Sequence, residues 1–180
     1  PQTHTEWHRI APILQKRFTV VAPDLRGYGD SSKPDADPQD HSAYCKRTTA
    51  RDQVDVMTKL GFEYFHVIGH DRGARVGHRM ALDYPGKIMT FTSLDVVSSQ
   101  AAFDSMDSQL AFSWFHWNLM RQPSPLPETM IGNSAKVYLD FLLDSWTSVD
   151  GAITDEAYGE YLRCFQDPET IRATCADYRA

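Results

Sequence analysis

The sequence predicts an α/β fold, a parallel sheet with crossover helices overlaid by a second, helical part, and three observations carry that reading. Short β-branched or apolar runs alternate with helical patterns up to about residue 98, and such alternation is most economically satisfied by parallel strands joined through helices. After Ser98 no strand of comparable strength follows, only aromatic-rich helical stretches such as "QLAFSWFHWNLM", "AKVYLDFLLDSW" and "EAYGEYLRCF". The composition, 42% hydrophobic and 23% charged over 180 residues, is that of an ordinary globular chain able to bury one core.

The elements follow in order. Residues 4–16 place Trp7, Ile10, Ile13 and Leu14 at helical spacing, with Pro12 as an irregularity. "FTVVAPDLRGYGDSSKP" then reads as a short β-branched strand running into a loop punctuated by Gly27, Gly29 and Pro34. From Ala43 to Leu60 the pattern is helical again, with Val54, Met57 and Leu60 on one stripe and Gly61 at the C-terminal stop. "YFHVIG" is a second, buried strand, "RGARVGHRMALDYP" a helix stopped by Pro85, and "KIMTFTSLDVV" a third strand. The expected division is a core over 1–98 and a helical region over 99–180.

The net charge of −6, with no segment gathering basic and aromatic residues, argues against a nucleic-acid partner and for a small molecule. There is no run of about eighteen apolar residues to span a membrane, and "PQTHTEWHRI" lacks the basic and apolar regions of a signal peptide, so a cytoplasmic location is expected. Cys45, Cys164 and Cys175 are odd in number and widely spaced, which suits reduced packing residues rather than a disulfide frame or a metal site. No cofactor is called for.

The informative stretch is Gly69-His70-Asp71-Arg72-Gly73, a G-x-D-x-G motif between a strand and a helix. A nucleophile elbow has this form because the turn strains the middle residue and flanking glycines remove clashing side chains. An aspartate capping the helix would read the same way in sequence. With Asp in the place of Ser, the chemistry is attack by a carboxylate on an electrophilic carbon, giving an ester that water must hydrolyse. Such a nucleophile suits a carbon bearing a halide or a strained epoxide oxygen. His70, just before it, either packs or hydrogen-bonds behind the turn.

Taken together, "APDLRGYGDSSKP", "HVIGHDRGARVGHRMALDYP", "SLDVV", "FHW" and "CADYRA" resemble the fluoroacetate (haloacetate) dehalogenases of the α/β-hydrolase superfamily over essentially the whole chain. The resemblance implies a partial α/β-hydrolase fold with a helical cap, incomplete at residue 180. It implies that Asp71 attacks the carbon bearing the halogen, that Asp95 orients a catalytic histidine, and that Arg72 and Arg75 bind the substrate carboxylate. It further implies that His116, Trp117 and Tyr178 stabilise the departing halide and that Trp146 lines the pocket. A homodimer would follow the family's habit. Beside that implication stands the direct reading: two guanidinium forks three residues apart match a carboxylate, although surface ion pairs would use the same residues. Aromatics on an amphipathic helix, His116 and Trp117 included, often serve only as core.

Against the family pattern, an H-G-x-P loop and the histidine that activates water fall outside these 180 residues. An internal fragment of a larger enzyme is therefore expected, able to form the ester and not to hydrolyse it. The competing readings are an epoxide hydrolase of the same superfamily and a non-catalytic piece; an arginine directly after the elbow aspartate favours an anionic substrate.

Overall fold

A 3-10 turn at His4–Trp7, capped by the Thr3 hydroxyl, leads into a single α-turn, α1 (Ala11–Leu14), in the computed structural model, which describes residues 1–37 and 39–180. The continuous helix expected over 4–16 is thus broken. Pro12 sits in the first turn of α1, where its missing N–H costs nothing, so it starts a helix instead of interrupting one. Ile13 is 64% exposed, so the stripe read there is not a buried face.

The first expected strand is also corrected. Residues 19–25 have no ladder partner, and the sheet among the described residues has two strands. A groove of about 760 Å³, lined by Phe18–Leu25 and by the whole of the next strand, keeps the two segments apart. Val20 and Val21 favour an extended backbone, but a strand exists only where a neighbour completes its hydrogen bonds.

Helix α2 (Lys46–Lys59) ends at Leu60 and Gly61, the latter at φ 86°, where a glycine closes a helix most cheaply. Its buried face is Thr49, Ala50, Gln53 and Val54, and Met57 packs against the same cluster; of the expected stripe Val54, Met57 and Leu60, only Leu60, 54% exposed, lies outside the core. Strand β1 (Phe65–His70) and strand β2 (Ile88–Leu94) pair in parallel, Phe65 opposite Ile88 and His70 opposite Leu94. Helix α3 (Asp71–Asp83) is the crossover between them and stops before Pro85. Val76 and Met80 of α3 pack with Ala50, Val54 and Phe65 into one apolar cluster, which fixes α3 against β1 and α2.

Seven helices follow: α4 (Ser99–Asp104), α5 (Ser108–Ser113), α6 (Phe115–Met120), α7 (Leu126–Gly132), α8 (Ala135–Trp146), α9 (Asp155–Phe165) and α10 (Pro168–Arg179). Ser98, Asp107, Thr154 and Asp167 cap four of them by accepting a backbone N–H, the local signal that sets those starts. Their core gathers Trp117, Met120, Ile131, Leu139, Leu143, Tyr161, Phe165, Ile171, Cys175 and Tyr178. A smaller cluster of Tyr44, Ala173 and Ala176 seats α10 on the loop before α2. Cys164 and Cys175 are buried free thiols, and no described helix is long and apolar enough to cross a membrane.

Phe165 is fully buried in the helical core while Phe112 is 85% exposed. Phe165→Ala should therefore cost about 3–5 kcal/mol of unfolding free energy through transfer and cavity terms, and Phe112→Ala should stay within about 0.5 kcal/mol. Urea titration of the two variants checks this; equal losses would refute the packing described.

Candidate active site

Strand β1 delivers its last residue, His70, in extended geometry, and the next residue, Asp71, turns to φ 44°. A non-glycine residue held in the left-handed region costs about 1–3 kcal/mol and persists only where its surroundings impose it. Here the imposition comes from the tight fold-back of α3. A Cβ on Gly69 would lie 2.6 Å from the Gly73 carbonyl oxygen and 2.7 Å from the Ala74 nitrogen. Gly73 is different: a Cβ there would meet nothing within 4 Å, so only the first glycine of the motif relieves a clash. The cap position of α3 is His70, which makes no side-chain capping bond, and the Asp71 carboxylate accepts no hydrogen bond among the described residues. Asp71 is therefore an elbow residue in geometry and not a helix cap.

His70 hydrogen-bonds rather than merely packs. Its Nδ1 lies 2.5 Å from Glu6 Oε1, and that bond raises the imidazole's pKa against the opposing effect of burial. Asp95, directly after β2, also has positive φ, 51°. It is exposed and hydrogen-bonds to no described side chain; the ionisable group that feels its charge is His70.

The two arginines are held differently. Arg72 donates Nε to Asp177 Oδ2 at 2.7 Å and Nη2 to the Asp177 backbone carbonyl, leaving Nη1 without a partner among the described residues. Its guanidinium lies 4.2 Å from the Tyr178 ring centroid and 5.8 Å from that of Trp117. Arg75, more deeply buried than Arg72, donates Nη1 to Ser99 Oγ at 2.7 Å and lies 4.7 Å from the Trp117 ring. Its Nε is buried with no partner, so the Nε–Nη2 edge, the edge that grips a carboxylate side-on, is unused. Burial and the neighbouring Arg72 charge lower the Arg75 pKa.

The helical half supplies the remaining expected residues as one aromatic group. His116 and Trp117 on α6 are buried, and the His116 ring stands edge-on to Trp146 at 5.1 Å and to Tyr178 at 6.0 Å. Trp117 meets the Tyr178 ring at 5.8 Å. Trp146 is 42% exposed, at the border of the group. Burial raises the Tyr178 hydroxyl's pKa, with the Asp71 charge adding to it, which places that hydroxyl near the elbow. The structure thus joins Arg72, Arg75, His116, Trp117, Trp146 and Tyr178 into one group, of which Arg75, His116 and Tyr178 feel the Asp71 charge, and leaves Asp95 apart from them. The groove that reaches Asp71 and Arg72 is lined by no residue of the helical half, and a second cleft, of about 450 Å³, opens on Arg75. Among the described residues no group of three or more His, Cys, Asp and Glu could hold a metal ion.

Three further residues escaped the sequence reading. Asp177, buried on α10, also accepts from Tyr28 Oη at 2.7 Å and from Lys46 Nζ at 2.6 Å. Burial alone would raise its pKa; the Arg72 and Lys46 charges outweigh it and hold the carboxyl well below the usual carboxylate range. No pattern in "CADYRA" marks it in the sequence; what marks it is the fold, since α10 buries every residue from Ala173 to Tyr178 and a buried aspartate demands partners.

His116 titrates in the opposite sense from a paired histidine. Burial lowers its pKa from 6.5 to about 4, so at neutral pH it is an uncharged ring with Nδ1 unpartnered. The unfolded chain binds this proton near pH 6.5 and the folded chain only near 4, so acid favours unfolding. Stability on the order of 3 kcal/mol, present above pH 6.5, is lost as pH falls toward 4. His116→Gln should flatten the melting temperature over that window; parallel pH profiles for parent and variant would refute the assignment.

Comparison with known proteins agrees with the geometry. The model of the alpha/beta hydrolase fold family matches residues 1–177. A fluoroacetate dehalogenase from Burkholderia sp. is 43% identical over all of this chain, and a soluble epoxide hydrolase from Corynebacterium sp. (strain C12) is 31% identical over 99% of it. The chain spans 59% and 61% of the lengths of those two relatives. A solved structure described as a candidate acyltransferase from Salmonella enterica superimposes with TM-score 0.98 at 48% identity, covering 100% of this chain and 60% of that one. With an elbow turn at Asp71, a parallel β–α–β unit around it and a family match along nearly its full length, this chain belongs to the α/β-hydrolase fold family.

Proposed function

We propose that these residues form the nucleophile half of a hydrolytic dehalogenase acting on short 2-haloacids, fluoroacetate foremost. The observation that carries this reading is an unpaired carboxylate at a strained elbow, Asp71 at φ 44°, followed by a largely covered Arg72 and a buried Arg75 that keeps a free fork. The 43% identity to a fluoroacetate dehalogenase supports it.

Arg75 grips the substrate carboxylate through Nε and Nη2, and Arg72 adds a single contact through Nη1. That places the halogen-bearing carbon in line with Asp71. One Asp71 oxygen attacks this carbon as the carbon–halogen bond breaks, forming an ester and releasing the halide with its electron pair. Fluoride leaves poorly unless its charge meets preorganised donors in a site shielded from water. The N–H groups of neutral His116 and Trp117 and the Tyr178 hydroxyl are those donors. The helices after Ser98 act as the cap that closes over them. Asp95 orients the histidine that delivers water to the ester, which the resemblance places beyond the cap.

Epoxide hydrolysis is the second reading, favoured by the 31% identity to a soluble epoxide hydrolase. It uses the same nucleophile on a neutral substrate, and for that the Arg75 fork has no task.

Full-length protein carrying this segment should release fluoride from fluoroacetate and chloride from chloroacetate, and Asp71→Asn should cut kcat by roughly 1,000-fold or more. A single turnover in heavy-oxygen water should label the Asp71 carboxylate. Diol formation from epoxides with no halide release would replace this reading by the second.

A further inference from the structure

We propose that Asp177 is a positioning residue that aims Arg72 at the substrate carboxylate and sets the helical half against the elbow. The inference rests on the dehalogenase reading and adds a residue that acts through another.

Asp177 is gripped from three elements of the α/β half. Tyr28, in the loop before α2, donates to Oδ2; Lys46, the first residue of α2, donates to Oδ1; Arg72, the second residue of α3, donates Nε to Oδ2. The Asp177 backbone carbonyl takes two more bonds, from Arg72 Nη2 and from Lys46 Nζ at 3.2 Å. Side chain and main chain of one residue therefore fix the guanidinium at two points, which settles its plane as well as its place. A surface ion pair could not do this, because one bond leaves the fork free to swing. The held orientation lays Arg72 over the Tyr178 ring and leaves Nη1 as its one uncommitted nitrogen.

Two consequences bear on the reaction. First, Asp177 divides the work between the arginines: Arg72 gives one aimed contact, and Arg75 keeps the side-on fork. Second, Tyr178 follows Asp177 directly on α10, so the anchor that holds Arg72 also fixes how far the Tyr178 and His116 donors stand from Asp71. Removing the carboxylate leaves Arg72 held through Nη2 alone, with its plane free to swing and its charge, like that of Lys46, uncompensated. An anionic substrate would still be drawn in, but out of line.

A double-mutant cycle in the full-length protein tests this, with Asp177→Asn, Arg72→Lys and the pair. Asp177→Asn alone should lower kcat/KM for chloroacetate about 100-fold, whereas the same change on top of Arg72→Lys should cost no more than about twofold. Asp177→Glu should recover part of the loss. Equal losses in both backgrounds, accompanied by a lower melting temperature, would make Asp177 a structural residue only and overturn the proposal. The Arg72 Nε–H resonance, assigned through Arg72→Lys, supplies a readout independent of turnover. It should exchange slowly with water, shift on adding acetate, and lose its protection in Asp177→Asn. Should that variant not fold, Asp177→Glu carries both measurements. If the parent protein releases no halide the dehalogenase reading fails, and the resonance alone judges Asp177: an Nε–H at solvent exchange rates, or one unmoved by the substitutions, would overturn its role.

Discussion

A buried carboxylate is stable only if its charge is met, and Asp177 meets that condition by drawing in Arg72, Lys46 and Tyr28 from across the boundary between the two halves. The arrangement works in both directions. The Arg72 side chain is itself only 11% exposed and would be costly without Asp177, since leaving one member of a buried pair unpaired typically costs about 3–5 kcal/mol. Neither half can satisfy its own polar residue, so the ion pair specifies a docking geometry that apolar contact alone would leave loose. The apolar cluster of Tyr44, Ala173 and Ala176 adds area to the same junction, and Arg172 adds bonds to the carbonyls of Lys33 and Pro34. Charge supplies the register and burial supplies the adhesion.

The elbow depends on that docking less than the donors around it do. Its strain is generated locally, by β1 ending at His70 and α3 folding back within the distance that Gly69 permits. The strain is held by Val76 and Met80 packed on Phe65, Ala50 and Val54, all within the α/β half. Asp71 is thus placed by one core, and Tyr178, Trp117 and His116 by another. The distance between Asp71 and those three side chains belongs to neither core, and it is set by the contacts between them.

This division explains what was legible in the sequence. The β–α–β unit could be read because its information is local: the apolar run of β1, the glycine before the elbow and the proline after α3 each act within a few residues. The motif also fixed Asp71, and the resemblance named the arginines and aromatics that the structure gathers beside it. Residues 19–25 were misread as a strand because β-branched character describes the backbone's preference and says nothing of a partner. The stripe on α2 is right at Val54 and Met57 but runs one position too far, because Leu60 repeats at helical spacing yet has no core to face, while Thr49 and Gln53 face one. Asp177, Lys46 and Tyr28 lie up to 149 residues apart, and no periodicity links them. Only the burial of a charge on α10 could have pointed to such a network, and burial is a property of the folded chain.

The protonation states then decide what the aromatic group can do. A charged His116 would stabilise a halide more strongly, but burial holds its pKa near 4, and the Arg72 charge presses in the same direction. The positive charge of the site is carried instead by arginines, which stay protonated at any physiological pH. One of them is neutralised by Asp177 and one is not. On the proposed dehalogenase reading, an anion entering such a site would meet a single uncompensated fork at Arg75 and neutral donors where the leaving group departs. Were His116 also charged, the carboxylate end and the halide end of the substrate would face similar attraction and could bind reversed. A neutral donor on one side and a cationic fork on the other would distinguish the two ends of a haloacid, and on the proposed reading that distinction would point its halogen-bearing carbon at Asp71.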